Sequence, residues 1–253
     1  MIINNKAVLI TGGAGRLGSS FARAIIKQGG KVVLADIDKA NLQLLENELG
    51  DKKCLGIVAN VSHLKEMDLC ITKTVEKFGC LDGVIHSSYP RSSGWGTRFE
   101  DLNQKFLNED LTQQLGGAIL FSQRVLNYFV KQGYGNLIHI SSIQGITAPK
   151  FDHYVDTEMT SPIEYTAIKS GIIAITQYLA KYYKNKNIRV NCVSPGGIFD
   201  KQPDSFVRKY RNSCINKGLL SAEDIIGSVL FLLSDYSQYI NGQNIIIDDG
   251  WTL

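Results

Sequence analysis

Residues 7–26, AVLITGGAGRLGSSFARAII, decide how the rest of the chain is read. Ala7–Ile10 is apolar at every position, which fits a strand covered on both faces. Gly12, Gly13, Gly15 and Gly18 follow at once, and Ser19–Gln28 then carries apolar residues at helical spacing. Gly13, Gly15 and Gly18 satisfy G-x-G-x-x-G between a strand and a helix. A loop without Cβ atoms turns tightly, so that backbone N–H groups and the positive end of the helix approach a pyrophosphate. A glycine-rich turn that binds nothing is the weaker reading in this context.

The alternation continues along the chain. Further strands are expected at Lys31–Ala35, Cys54–Val58, Gly83–His86, Asn136–Ile140, Arg189–Val193 and Asn244–Ile247, with amphipathic helices at Ala40–Leu49, Leu64–Phe78, Leu115–Lys131 and Ile163–Tyr183. This predicts a single-domain α/β fold over residues 1–253. It is a Rossmann-type doubly wound parallel sheet of about seven strands with helices on both faces. Ligands of such sheets bind beyond the carboxyl ends of the strands. The second strand ends VVLADID, placing Asp36 18 residues after Gly18, close to where an acid accepts hydrogen bonds from an adenosine ribose. That favours NAD. Arg16, inside the glycine loop, pulls toward NADP because it could pair with a 2′-phosphate. Asp38 is a rival to Asp36, either of which could be only a turn residue.

Composition excludes other classes. Of 253 residues, 44% are apolar and 20% charged, and the net charge of +3 is too small to imply a nucleic-acid partner. The main basic cluster, Lys181, Lys184, Lys186 and Arg189, follows a long helical pattern and is expected at that helix's C-terminus, offsetting its dipole. Five scattered cysteines without a CxxC read as reduced thiols, with neither a metal site nor a disulfide framework. The first strand begins at Ala7, which leaves no room for a signal peptide, and no run approaches the ~20 apolar residues of a membrane span. A cytoplasmic protein without membrane contact is expected.

EYTAIKSG, residues 164–171, sets a phenol and an ammonium four apart on one helix face. Ser161-Pro162-Ile163-Glu164 reads as the helix start, with serine as N-cap and Glu164 completing a capping box. An unperturbed tyrosine, pKa ~10, is a poor base at neutral pH. A neighbouring ammonium would lower that value, and Tyr165 could then exchange a proton with an alcohol or carbonyl oxygen.

With these residues in view, the chain resembles the short-chain dehydrogenase/reductase family over nearly its whole length. ITGGAGRLG looks like the family's glycine motif, YTAIK like its Tyr-x-x-x-Lys, and IHISSIQG like the strand carrying its serine. NIRVNCVSPGGI is similar to the segment leading to a Pro-Gly turn, and GQNIIIDDGW to the final strand. The resemblance implies that Ser142 orients the substrate oxygen, Tyr165 is the acid/base, and Lys169 holds the nicotinamide ribose and tunes Tyr165. It further implies cofactor contacts from Gly12, Gly13, Gly15, Arg16, Leu17, Gly18, Asp36, Ile37, Asn60, Val61, Ser87, Ser88, Pro195, Gly196 and Ile198. A homodimer or homotetramer is implied through the helices at 115–131 and 163–183 and the last strand, with Trp251 at a subunit contact.

Four departures stand out. Arg16 occupies the place of the family's second loop glycine. His86-Ser87-Ser88-Tyr89 replaces Asn-Asn-Ala-Gly, so a bulky Tyr89 stands beside the cofactor. Gln114 aligns with the asparagine that backs a proton-relay water. Ser142 and Tyr165 are 23 residues apart, longer than usual, with the extra length in 148–161. Residues 89–101 and 199–218 are further substrate-side insertions, the latter reading as a mobile lid. Arg91 and Arg98 are candidate ligands for an anionic or sugar-like group, and His153 for substrate.

These features predict an NAD(P)-dependent oxidoreductase interconverting a secondary alcohol and a ketone on a small polar substrate, with phosphorylated and nucleotide-linked compounds among the candidates. The overall pattern is similar to short-chain dehydrogenases of flagellin-modification and surface-sugar pathways, which implies a sugar or amino-sugar derivative. The alternatives are a cofactor-binding redox sensor without turnover, and an epimerase or dehydratase that recycles NAD, although only about 60 residues follow the Pro-Gly turn.

Overall fold

The computed structural model describes residues 1–253. A seven-stranded parallel sheet runs in the order β3-β2-β1-β4-β5-β6-β7. The strands are β1 (Ala7–Thr11), β2 (Lys31–Asp36), β3 (Cys54–Val58), β4 (Gly83–His86), β5 (Gly135–Ile140), β6 (Ile188–Pro195) and β7 (Asn244–Ile247). The helices are α1 (Arg16–Lys27), α2 (Lys39–Leu49), α3 (Leu64–Phe78), α4 (Gln104–Asp110), α5 (Gly117–Gln132), α6 (Ile163–Tyr182), α7 (Asp204–Asn212) and α8 (Glu223–Leu233).

Two cores sandwich the sheet. On one side Phe21 and Ile25 of α1 and Val229 and Leu232 of α8 meet Val8, Ile10, Val32 and Leu34. On the other Met67 of α3 and Phe121, Val125 and Phe129 of α5 meet Leu9, Val33, Val84 and Leu137. Strand side chains are buried on both faces, so β1 and β5 read as continuous apolar runs rather than alternating ones. Each fully buried Leu, Ile or Phe contributes about 1.5–3 kcal/mol. Strand order reverses between β1 and β4, and there the carboxyl ends of the strands open a crevice.

Three local expectations fail. The helix expected from Leu115 is preceded by α4 and a π-helical turn, Leu111–Gly116. The signal was Asn103, whose Oδ1 caps Lys105 N–H at 2.9 Å. Ser161 does not cap α6: its hydroxyl donates to Gln144 Oε1 at 2.8 Å, Pro162 takes the N-cap, and Glu164 is buried with one carboxylate oxygen unpartnered. Arg189 lies in β6, as the strand expected at Arg189–Val193 has it, and not at the helix end where the basic cluster placed it. Its guanidinium donates to the carbonyls of Leu232, Ser234 and Ser237, closing the end of α8. No helix is long and apolar enough to cross a membrane.

Candidate active site

A groove of about 870 Å³ lies over the carboxyl ends of β1 to β4. Its floor is the glycine loop, which has no room for side chains. Gly12 sits at φ +64°, and a Cβ there would lie 2.9 Å from the Ser87 carbonyl oxygen. A Cβ on Gly18 would collide with the Gly12 carbonyl oxygen. Gly15 caps α1 without any side-chain hydrogen bond, and no acid occupies the first turn, so the helix leaves its first N–H groups to an anion. Gly12, Gly15, Arg16, Leu17 and Gly18 line the groove, joined by Asp36, Ile37, Asn60, Val61, Ser87 and Ser88. Gly13 does not: it is buried against Leu34, where a Cβ would come within 2.7 Å. A dinucleotide fits this cradle of bare backbone, acid and exposed Ile37.

Asp36 is fixed as the groove's acid. Its Oδ2 accepts from Ala14 N–H at 3.0 Å and its Oδ1 from Asp38 N–H at 3.0 Å. Asp38 instead N-caps α2, accepting from Asn41 N–H at 3.1 Å. Arg16 is spent elsewhere: Nη1 donates to the Phe199 carbonyl at 2.7 Å and Nη2 pairs with Asp200.

The groove opens into a cavity of about 370 Å³, the two sharing Leu17, Ser87, Tyr89, Ile198 and Gln202. Ser142, Tyr165, Lys169, Pro195 and Gly196 line it. Ser142 lies two residues past the end of β5, its Oγ accepting from Gln144 N–H at 3.2 Å. Ser141 Oγ donates to the Lys169 carbonyl at 2.8 Å, pinning α6 against that strand end. Lys169 Nζ donates to the Ile140 carbonyl at 3.0 Å and lies 5.5 Å from the centre of the Tyr165 ring. Burial pulls Lys169 down to about 8. Burial also pushes Tyr165 up, outweighing the Ser142 hydroxyl that pulls it down. This reverses the expectation of a phenol lowered by the ammonium. Desolvation is the larger effect, so Tyr165 is held as a hydroxyl.

Tyr89 fills the space a glycine would leave. Its ring meets Tyr165 edge-on at 5.6 Å and Trp95 at 5.2 Å, with Lys169 Nζ 5.3 Å from its centre. Residues 89–101 are anchored by Asp110, which accepts from both Ser92 N–H and Ser92 Oγ at 2.7 Å. Arg91 stacks over Tyr89 and faces the groove rather than the cavity. Arg98 is exposed and lines neither. Gln114, in the π-helical turn, is buried outside both spaces with its Nε2 unpartnered.

The remaining walls come from segments the sequence left unconnected. Tyr154, Phe206, Tyr210 and Trp251 form an aromatic cluster with His153. His153 lines the cavity but is itself buried, its Nε2 3.0 Å from Ser213 Oγ. Trp251 is 4% exposed within its own chain, stacked on Tyr210, so its burial needs no partner subunit. The segment read as a mobile lid is packed: Tyr210 Oη accepts from Gly197 N–H at 2.6 Å, tying α7 to the Pro-Gly turn. Arg208 and Arg211 are exposed away from the cavity, and Lys169 is the one cation lining it. Sequence reading missed this cluster because its members lie up to about 100 residues apart in non-periodic segments.

Comparison with known proteins agrees with this geometry. The family model described as Enoyl-(Acyl carrier protein) reductase matches residues 13–252. The chain is 40% identical, over the full length of both, to post-translational flagellin modification protein A of Campylobacter coli. It is 32% identical to 7alpha-hydroxysteroid dehydrogenase of Bacteroides fragilis, over 98% of this chain and 95% of that one. A short-chain dehydrogenase of Leptospira borgpetersenii, solved with bound NAD+, superposes with a TM-score of 0.88 at 31% identity, covering 99% of this chain and 94% of that one. The chain therefore belongs to the short-chain dehydrogenase/reductase family and is an NAD(P)-dependent oxidoreductase acting on CH–OH groups.

Proposed function

We propose that the protein interconverts a secondary alcohol and a ketone on a neutral sugar or amino-sugar derivative, using NAD. The observation that carries this is the meeting of Ser142, Tyr165 and Lys169 in a cavity continuous with the glycine-loop groove. The glycine loop and Asp36 would hold the dinucleotide, and Pro195 and Gly196 would line its nicotinamide, which would supply the hydride chemistry. The protein supplies the rest. Ser142 Oγ holds the substrate oxygen. In reduction the Tyr165 hydroxyl gives its proton to that oxygen, and in oxidation the phenolate takes the proton from the alcohol. Lys169, beside Tyr165, stabilises the phenolate whenever it carries its proton.

Asp36 at the ribose end supports NAD over NADP, because a 2′-phosphate would meet a carboxylate while Arg16 is already paired with Asp200. The full-length similarity to a flagellin modification protein supports the sugar reading. A cavity whose one lining cation is the catalytic Lys169 argues for a neutral group rather than the phosphorylated substrate the loop arginines suggested. Apolar side chains left exposed on α5 (Ile119, Leu120), α6 (Tyr178, Tyr182) and β7 (Ile246) support assembly as a homodimer or homotetramer, and free thiols suit a cytoplasmic setting.

The test is a panel of neutral sugars, their phosphate esters and a 7-hydroxysteroid, each with NAD and NADP in both directions. Turnover of neutral sugars with NAD is expected. Preference for a phosphate ester or for the steroid would overturn the substrate assignment.

A further inference from the structure

Beneath the active site, at the centre of the sheet, two histidines face each other as register partners on β4 and β5. Both are buried, His86 at 7% exposure and His139 at 0%. They belong to a chain of four side chains whose polarity is fixed from one end. Ser122 Oγ lies 2.7 Å from the Ala118 carbonyl, which only accepts, so the single hydroxyl proton of Ser122 is committed there. His139 Nε2, 3.1 Å from the same Oγ, must then be the donor. A neutral ring protonated at Nε2 is bare at Nδ1, so His139 Nδ1 accepts from His86 Nδ1–H across 3.3 Å. His86 is therefore bare at Nε2 and accepts from Ser88 Oγ–H at 3.1 Å. Burial and the nearby Lys169 ammonium hold both rings well below the ordinary histidine range, which keeps them neutral.

The outer end of this chain is Ser88, which lines the cofactor groove. The Ser87 and Ser88 N–H groups both donate to Thr11 Oγ1, at 3.1 and 3.2 Å, so the backbone there is held as firmly as the side chain. With its proton turned inward, the Ser88 hydroxyl keeps only lone pairs for the groove.

We propose that the buried Ser122–His139–His86 chain fixes the Ser88 hydroxyl as an acceptor that receives a hydrogen bond from an O–H or N–H of the bound cofactor. His86 and His139 are positioning residues in this role, acting through Ser88. The inference rests on the groove being the dinucleotide site.

Two measurements test it. Nitrogen NMR of histidine-labelled free protein reads the tautomers without cofactor or turnover. His86 protonated at Nδ1 and His139 at Nε2, unchanged across neutral pH, are expected. The reverse tautomers, or a charged ring, would overturn the proposal. NADH binding, followed by fluorescence, gives the second readout. Ser88→Ala should weaken binding about three- to tenfold, as loss of one hydrogen bond does. His139→Phe should weaken it by a similar factor, and the double variant no further. Additive losses, or unchanged binding in Ser88→Ala, count against the chain. If His139→Phe does not fold, His139→Gln replaces it, and the NMR result on the wild type stands regardless. Failure of the wild type to bind NADH would overturn the groove reading itself. Correct binding with the wrong tautomers would overturn only the role of the chain.

Discussion

The glycine-loop groove and the cavity beside it adjoin, yet they are built in opposite ways. The groove's floor is backbone and short side chains supplied by consecutive strand-to-helix turns, Gly12, Gly15, Gly18, Asp36, Asn60, Ser87 and Ser88, with Tyr89 and Arg91 at its rim. The cavity is large aromatic side chains supplied by three distant segments: Tyr154 from an insertion, Phe206 and Tyr210 from α7, and Trp251 from the C-terminal turn. One recognises a ligand through spacing that local sequence dictates. The other recognises it through packing that only the tertiary fold assembles.

Variants on the two sides should therefore fail differently. The largest effect is expected from Gly18→Ala. Its Cβ would collide with backbone, so NADH affinity should drop about 100-fold or more, with a loss of stability measurable by thermal melting. Asp36→Ala should relax the preference for NAD over NADP about tenfold, the worth of a charge-assisted hydrogen bond, as judged by the ratio of kcat/KM values. Tyr210→Phe removes the acceptor for Gly197 N–H and loosens the cavity wall. It should raise substrate KM about fivefold or more while NADH binding holds, and a change confined to NADH binding would erase the distinction between the two regions.

The smallest effect is on stability. Lys169 titrates near 8 when folded and near 10.5 when unfolded, so the unfolded chain holds the extra proton between those values. The buried ammonium thus costs stability in full below about pH 8, and the protein gains stability as pH rises through that window. Lys169→Met should abolish turnover yet raise Tm at pH 7 by a few degrees, about 1 kcal/mol, with the gain shrinking toward pH 10. A lower Tm at pH 7 would mean that the Ile140 carbonyl bond outweighs the cost of the buried charge.

The fold was legible because periodicity and glycine punctuation are local signals: all seven strands lie within a residue or two of their expected places. Tyr165 and Lys169 were legible as a pair because they share one helix face, whereas Ser142, two residues past β5, was pointed to by the family resemblance. What sequence reasoning lost depended on burial or on competing partners. Ser161 was a plausible cap until Gln144 claimed its hydroxyl. Arg16 looked free for a phosphate until Phe199 and Asp200, more than 180 residues away, engaged it. Tyr165 was expected to be acidified by its neighbour because spacing shows the ammonium but not the desolvation around it. Trp251 looked like a subunit contact because nothing local reveals that Tyr210 stacks on it.

The most direct test of the central claim compares Tyr165→Phe with the wild type in the same preparation, by following NADH absorbance with an active substrate and NADH binding by fluorescence. Removing one hydroxyl should cut turnover about 1,000-fold or more, within the range that a positioned acid/base supplies, and leave NADH affinity within about twofold. Turnover that survives in Tyr165→Phe would contradict the assignment of the proton to this residue and, with it, the proposed mechanism.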